Sequence, residues 1–478
     1  MRHNKVGEQN LFMLFGRFSK LLLLSTLSLS AGSFEKFQTT QTTKYVQYKN
    51  KSDAAFSTYL KKEWNEYVSE QPKSLYKQLK PENIAPTVET DVKPLGPQAH
   101  IVINKYHTKK SISQEIKEHA IKVDFFGTPL GFSNYESIKS AKFYPLNEEG
   151  VTQFFSLLAG SHIEKLLKEI RETKKQLALN DWGVYELITK LSKQYYTGID
   201  EAKLLTWFLF NKLGYDVKIG LASKHIVLMF YSKKSIYNTP FYRFGAKKFY
   251  VLDEYAKKTK RRVYTYKKSY PNATKAFDLA MPTLPILAKN IKTKQLTFTE
   301  NGETFKYLFR FNQNLIDFMK TYPQADYASY FHTPLENETY NDIAKNLKKF
   351  IDGKKMSVAL NFVLHFVQKS FQYQVDEKQF GREKLMFPQE TLYYAKSDCE
   401  DRATLFAYLV KKLFHLRVVG VRYKDHMTTA LYVPLNGDSI KKGSRKYIIA
   451  DPTYVNANIG LSMQKYKNVT PEQIILIN

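Results

Sequence analysis

The chain has 478 residues, 43% of them hydrophobic and 15% aromatic, and carries 73 lysines and arginines against 45 aspartates and glutamates, for a net charge of +28. That apolar content argues against general disorder, and the length exceeds one ordinary core, so a multidomain globular α+β protein is expected. Cys399 is the only cysteine, which excludes intrachain disulfides, cysteine-based zinc sites and iron–sulfur clusters. Lysine supplies most of the positive charge and is scattered along the chain, a poor footprint for nucleic acid. Anionic envelope polymers or a membrane surface are the better electrostatic counterparts.

Taken in chain order, residues 1–33 read as a signal peptide or N-terminal anchor. Arg2, Lys5, Arg17 and Lys20 precede an apolar run at 21–29, and Ser30, Ala31, Gly32 and Ser33 come after it. An exported protein is therefore expected, periplasmic or secreted, and tethered to the membrane if the segment is retained. Residues 34–98 form a helix and a proline-containing linker. Phe56, Tyr59, Leu60, Trp64, Tyr67 and Val68 recur at helical spacing, and Pro72, Pro81, Pro86, Pro94 and Pro97 punctuate the linker.

Residues 99–149 contain strand signals, with Ile121, Val123 and Phe125 alternating with Lys122 and Asp124. Residues 150–256 open with helical periodicity, and 257–336 return to strand signals. In that β-rich stretch Asn301-Gly302 sits between two alternating runs, the signature of a hairpin. From Asn337 to Gln374 the helical period resumes, broken at Gly353.

An internal repeat links the two halves. A displacement of 201 residues sets Ala202-Lys203-Leu204-Leu205-Thr206-Trp207-Phe208 against Ala403-Thr404-Leu405-Phe406-Ala407-Tyr408-Leu409, and His225 against His426. Lys247 to Asp253 likewise resembles Lys446 to Asp451, whereas Gly198 stands where the later copy has Cys399.

The chemistry concentrates in 337–478. Ser397 or Asp398 can cap an apolar-periodic helix whose first turn holds Cys399, where unpaired backbone amides favour a thiolate. Glu400 and Asp401 suit that helix end as capping residues but oppose a thiolate if they face the sulfur, and Arg402 offsets them. Residues 426–433 and 446–451 read as strands with a polar loop at 434–445. Antiparallel pairing brings His426 and Asp451 to one end of the hairpin. Nucleophile, imidazole and orienting carboxylate are thus all provided.

The runs Asp398-Cys399-Glu400-Asp401-Arg402-Ala403, His426-Met427-Thr428-Thr429-Ala430 and Ala450-Asp451-Pro452-Thr453-Tyr454 resemble the transglutaminase-like superfamily of papain-type thiol enzymes. The resemblance covers about the last 120 residues. It implies a catalytic domain at 337–478 with the nucleophile on a helix N-terminus packed against an antiparallel sheet, and a degenerate transglutaminase-like domain at 150–256. It also implies Cys399 as nucleophile, with His426 and Asp451 as its partners, acting on amide bonds of protein or peptide substrates as a peptidase, amidase or transamidase.

The family's aromatic residue shortly after the histidine has no counterpart here, where Met427 and Thr428 come next. The backbone amide of Cys399 is one natural oxyanion donor, and Gln368, Tyr373 and Tyr394 are candidates for another. No cofactor is expected, and no metal ligand pattern is found: there is no His-Glu-x-x-His run and no close cluster of acidic and histidine residues. The competing expectation is a non-catalytic envelope binding or assembly protein built on two such folds.

Overall fold

Two helix pairs, each laid on an antiparallel sheet, organise the computed structural model, which describes residues 50–70, 94–103, 120–252 and 261–477. The signal or anchor segment, most of the proline-containing linker and Asp253 lie outside the described residues. Among the described residues no helix is long and apolar enough to cross a membrane. The chain divides into Met1–Lys62 and Glu63–Asn478. In the first of these, residues 50–60 are helical.

The remainder is mixed α and β. In the upstream half, helix Asp181–Tyr195 begins where the Asn180 side chain accepts the Gly183 amide at 3.0 Å. It packs against helix Ile199–Lys212, which lies on strands Val217–Ala222 and His225–Ser232. Helix Ile199–Lys212 buries Ala202 and every residue from Leu204 to Asn211, the pattern of a helix enclosed by its neighbours. In the downstream half, helix Met356–Lys369 packs against helix Cys399–Phe414, which lies on strands Val418–Arg422 and Met427–Leu431.

The two sheets share a strand order. The first runs Arg262–Tyr266, Val217–Ala222, His225–Ser232, Lys247–Tyr250, Phe241–Phe244, with Trp64–Val68 added at one edge; the second runs Gln473–Leu476, Val418–Arg422, Met427–Leu431, Arg445–Ala450, Ser439–Lys442. Apart from the added Trp64–Val68, the strand latest in each sheet lies beside the first of the remaining strands at one end of the order, and the third and fourth exchange places. The halves differ in the connection between their two helices. Upstream it is residues 196–198; downstream it is residues 370–398, which carry helices Asp376–Phe380 and Pro388–Tyr393.

Between the halves, strands Ile291–Glu300 and Glu303–Asn312 pair through Asn301-Gly302, whose φ values of 49° and 79° are those of a two-residue primed turn. The hairpin packs its aromatic face on the downstream helices, where Phe298 meets Phe362 and Phe366 at 5.6 and 5.4 Å. Lys294 reaches from it to the carbonyls of Leu392 and Tyr393 at the end of helix Pro388–Tyr393, a favourable place for a cation.

Five elements depart from the sequence expectation. The helical spacing of Phe56 to Val68 ends by Leu60, and Trp64–Val68 is a strand paired with Arg262–Tyr266. There Trp64 meets Tyr266 edge-on at 5.3 Å and Tyr67 meets Phe244 at 4.6 Å, so aromatic contacts on a sheet edge outweigh a short helical period. The upstream sheet continues past residue 256 to include Arg262–Tyr266. The strand-rich stretch from 257 to 336 also contains helices Gln313–Lys320 and Tyr327–Phe331. The polar loop at 434–445 holds strand Ser439–Lys442, which turns at Gly443 into Arg445–Ala450. By contrast Ile121–Phe125 pairs with Thr128–Phe132, and Gly353, at φ 73°, separates helices Asn337–Ile351 and Met356–Lys369.

Candidate active site at the start of helix Cys399–Phe414

Asp398 is the N-cap of helix Cys399–Phe414, which places Cys399 in its first turn. The capping box is lopsided. Asp401 Oδ2 accepts the Asp398 amide at 3.2 Å, whereas the Asp398 carboxylate faces the amide of Asp401 without completing a well-formed hydrogen bond in return. Asp401 Oδ1 accepts the Met386 amide at 2.8 Å, fastening the long connection to the helix start.

Arg402, 1% exposed, donates to Ser397 Oγ at 3.0 Å and to the carbonyls of Gln368 and Phe371 at 3.2 and 2.8 Å. Its hydrogen bonds therefore bind neutral acceptors, while its charge still acts on Asp398, Asp401 and Cys399. Burial brings its pKa down to about 10, so it remains charged at neutral pH.

His426 immediately precedes strand Met427–Leu431, and Asp451 comes directly after strand Arg445–Ala450. The strands pair antiparallel, with Thr429 opposite Ala450, which brings His426 and Asp451 to one end. His426 Nε2 lies 2.8 Å from Asp451 Oδ2. The other Asp451 oxygen accepts the Thr453 amide at 2.9 Å and fixes the carboxylate. His426 Nδ1 is buried without a partner.

An aromatic wall supports the imidazole. Tyr466 stacks on His426 with centroids 4.8 Å apart and an interplanar angle of 17°, and Tyr423 also stacks on Tyr466 at 4.8 Å. Tyr466 donates to Asp425 Oδ1 at 3.0 Å. Cys399 is among the charges that raise the Tyr466 phenol, which places the thiol within electrostatic range of the ring stacked on His426. The aromatic neighbour missing from the sequence after His426 is thus delivered from forty residues downstream.

Cys399 Sγ donates to Glu400 Oε2 at 3.0 Å. Glu400 faces the sulfur, contrary to a pure capping role. Burial, reinforced by Asp401, pushes its carboxyl up to about 8, so at neutral pH it largely keeps its proton and opposes a thiolate little. Cys399 and His426 are fully buried and Asp451 is 2% exposed.

The three oxyanion candidates separate clearly. Gln368 donates to the carbonyls of Asp451 and Ala457 at 2.9 and 3.1 Å, and its Oε1 accepts the Asn456 amide. It is a structural brace. Tyr394 packs its ring on Phe380 and Tyr393, and Cys399 is not among the charges acting on it. The Tyr373 hydroxyl is buried without a partner, and burial, with Cys399 the next largest influence, raises its pKa far above the ordinary value. It remains a proton-bearing donor near the thiol.

Sequence reading found no close cluster of acidic and histidine residues, and the fold gathers a purely acidic one around the start of helix Cys399–Phe414. Oxygens of Asp376, Asp398 and Asp401 lie within 4.8 Å of one another, and so do oxygens of Asp376, Glu383 and Glu400. Burial raises the carboxyls of Asp376 and Asp398 well above the usual range, and that of Asp401 to about 6. Only Asp398, Glu400 and Asp401 are close in sequence; the connection at 370–398 brings in the others.

In the upstream half the equivalent positions are arranged differently. Gly198 is the N-cap of helix Ile199–Lys212, and a Cβ placed there would meet Glu201 Oε2 at 2.2 Å. The His225 side chain is 81% exposed, with Nδ1 3.1 Å from Asp200 Oδ2. No protein-family model matches the chain, and no curated protein or solved structure is found to be similar to it.

Proposed function

We propose that the protein is an exported transglutaminase-like thiol enzyme that transfers acyl groups from amide bonds of protein or peptide substrates through Cys399. The observation that carries this reading is the His426 imidazole, bonded through Nε2 to Asp451 and left with an unpartnered Nδ1 in the electrostatic neighbourhood of the only thiol. With Nε2–H donated to Asp451, Nδ1 is the basic nitrogen that takes the thiol proton.

The thiolate attacks the carbonyl carbon, and the carbonyl electron pair moves to oxygen, where the Cys399 amide and the Tyr373 hydroxyl serve as donors. Collapse expels the amine, which takes the proton from Nδ1, and leaves a thioester. Water then gives hydrolysis and an amine acceptor gives transamidation. The positive charge suits anionic envelope polymers or a membrane surface as surroundings for the reaction.

The test is iodoacetamide alkylation as a function of pH, which reads a single thiol. In the native protein the alkylation midpoint is expected well below the ordinary thiol value of about 8.5, and His426→Ala should return it to or above that value. Complete burial of Cys399, with a nucleophile-free upstream half, favours a second reading: a non-catalytic envelope binding or assembly protein. A midpoint indifferent to His426 selects it.

A further inference from the structure

The end of the downstream sheet remote from Cys399 carries charge of one sign. Strands Val418–Arg422 and Arg445–Ala450 start there, and strands Met427–Leu431 and Gln473–Leu476 finish there. Val418 pairs with Leu431 and Val419 with Leu476, whereas Arg422 pairs with Met427 at the end that holds His426. Helix Cys399–Phe414, sixteen residues and so about 24 Å long, reaches this end at His415, whose φ of 54° turns the chain back towards the sheet.

A concavity of about 490 Å³ opens here. Lys411, His415, Arg417 and Arg445 line it, over apolar walls that include Leu416, Tyr447 and Leu476. The hairpin beside it adds Lys441, Lys442 and Lys446, with Lys441 directly opposite Lys446 and Lys442 opposite Arg445. Like charges facing each other across two strands repel and destabilise the pair. The ion pairs of this sheet lie elsewhere: Arg422 with Glu472, Lys465 with Asp425 and Lys467 with Asp438. Among the described residues no carboxylate pairs with His415, Arg417, Arg445 or the three hairpin lysines. Two hydrophobic side chains stand exposed at the same end, Tyr432 at 46% and Leu476 at 48%. The Tyr432 ring lies 5.7 Å from that of Tyr447, which lines the concavity. Lysines on an edge strand guard against pairing with another chain, but that role calls for neither a concavity nor arginines around it.

We propose that this end of the downstream sheet docks on an anionic phospholipid membrane, with a lipid phosphate held by Arg417 and Arg445 and with Tyr432 and Leu476 entering the headgroup layer. Guanidinium forks match phosphate oxygens two at a time, and basic side chains are drawn to the negative potential of such a surface. Tyrosine suits that boundary because its ring is apolar and its hydroxyl remains wet. A soluble polyanion would satisfy the cations but leave the two exposed apolar side chains in water, so the lipid surface is the better occupant. Docked in this way, the chain turns the start of helix Cys399–Phe414 away from the bilayer, towards substrates that stand off the surface. The proposal rests on the envelope surroundings inferred above and is independent of acyl transfer.

The experiment sediments the full protein with vesicles of phosphatidylcholine, pure or with one-third phosphatidylglycerol, at physiological ionic strength. Binding is expected to the anionic vesicles alone. A net charge of +28 attracts any such surface, so the decisive comparison is between variants that each lose two charges. One is Arg417→Gln with Arg445→Gln; the other is Lys122→Gln with Lys142→Gln, at exposed positions outside this sheet. At about fivefold per cation held at the surface, the first pair should weaken partition about thirty-fold, and the second should change it little because distant charges are screened. Equal losses overturn the proposal and leave diffuse attraction in its place. A second readout does not depend on those variants folding. With Cys399→Ala removing the native thiol, Leu476→Cys carrying an environment-sensitive fluorophore should blue-shift on anionic vesicles and Lys142→Cys should not; any other pattern overturns the proposal. Inorganic phosphate, at the concentration of lipid phosphate present, should leave the protein on the vesicles; displacement assigns the site to a soluble phosphate and overturns the membrane. Alkylation indifferent to His426 removes the acyl-transfer reading and leaves the docking site standing, and loss of site-dependent vesicle binding alone does the opposite.

Discussion

At the scale of single residues, the site is notable for polar atoms left without partners. A buried donor or acceptor without a hydrogen bond costs about 1–3 kcal/mol, so such atoms persist where another role holds them. His426 Nδ1 and the Tyr373 hydroxyl are two of them, both near the thiol. Tyr373→Phe removes a hydroxyl that makes no bond, so its stability should equal or slightly exceed that of the native protein. Its acylation by p-nitrophenyl acetate should nevertheless fall by about 10²-fold, the usual consequence of losing an oxyanion donor. Unchanged acylation in a folded Tyr373→Phe protein would move the second donor elsewhere.

At the scale of elements, the two helix N-termini make a natural comparison. Each helix lies on the corresponding pair of strands of its own sheet, and by the 201-residue displacement a cysteine at Gly198 would align with Cys399, at the N-cap rather than in the first turn. The obstacle to a side chain there is the end of the flexible Glu201 side chain, which can swing away at small cost. Gly198→Cys in a Cys399→Ala background should therefore fold. Its thiol should alkylate with a midpoint near the ordinary value of about 8.5, because His225 turns outward to Asp200 and supplies no base. Measuring that midpoint separates helix position from the imidazole as the source of thiol activation. A midpoint as low as that of the native Cys399 would credit the helix terminus alone.

At the scale of the whole molecule, charge enters the interior in both halves. Lys218, 1% exposed, lies 5.0 to 5.3 Å from the rings of Phe244, Phe249 and Tyr266 and donates to the Lys267 carbonyl at 2.9 Å. Burial, with a smaller contribution from Lys247 and against Asp216, lowers its pKa from 10.5 to about 7. The unfolded chain keeps that proton to higher pH than the folded one. Between about pH 7 and 10.5 the unfolded state thus binds more protons, and this residue makes stability rise with pH across that window. Lys218→Met should remove about 2 kcal/mol of the rise between pH 7 and 9, read from urea unfolding of both proteins at the two pH values. An identical rise in both would show that the ammonium is not held in a desolvated site.

What the sequence determined by itself is local. The cap at Asp398, the apolar helix after Cys399, the hairpin at Asn301-Gly302 and the strands ending near His426 and Asp451 are written in spacing and turn chemistry, because their determinants lie within a few residues of one another. The 201-residue displacement was read from the chain as well, and the two sheets share a strand order. Tertiary structure alone decided which side chains surround the thiol. Tyr466 reaches His426 from forty residues away, Tyr373 and Asp376 arrive through a connection that has no upstream counterpart, and Trp64 leaves its helical period to pair with Tyr266. A contact between distant positions leaves no period in the chain. It is settled by the aromatic surface buried and the charges that must be matched when the elements pack, and these exist only once the fold has closed.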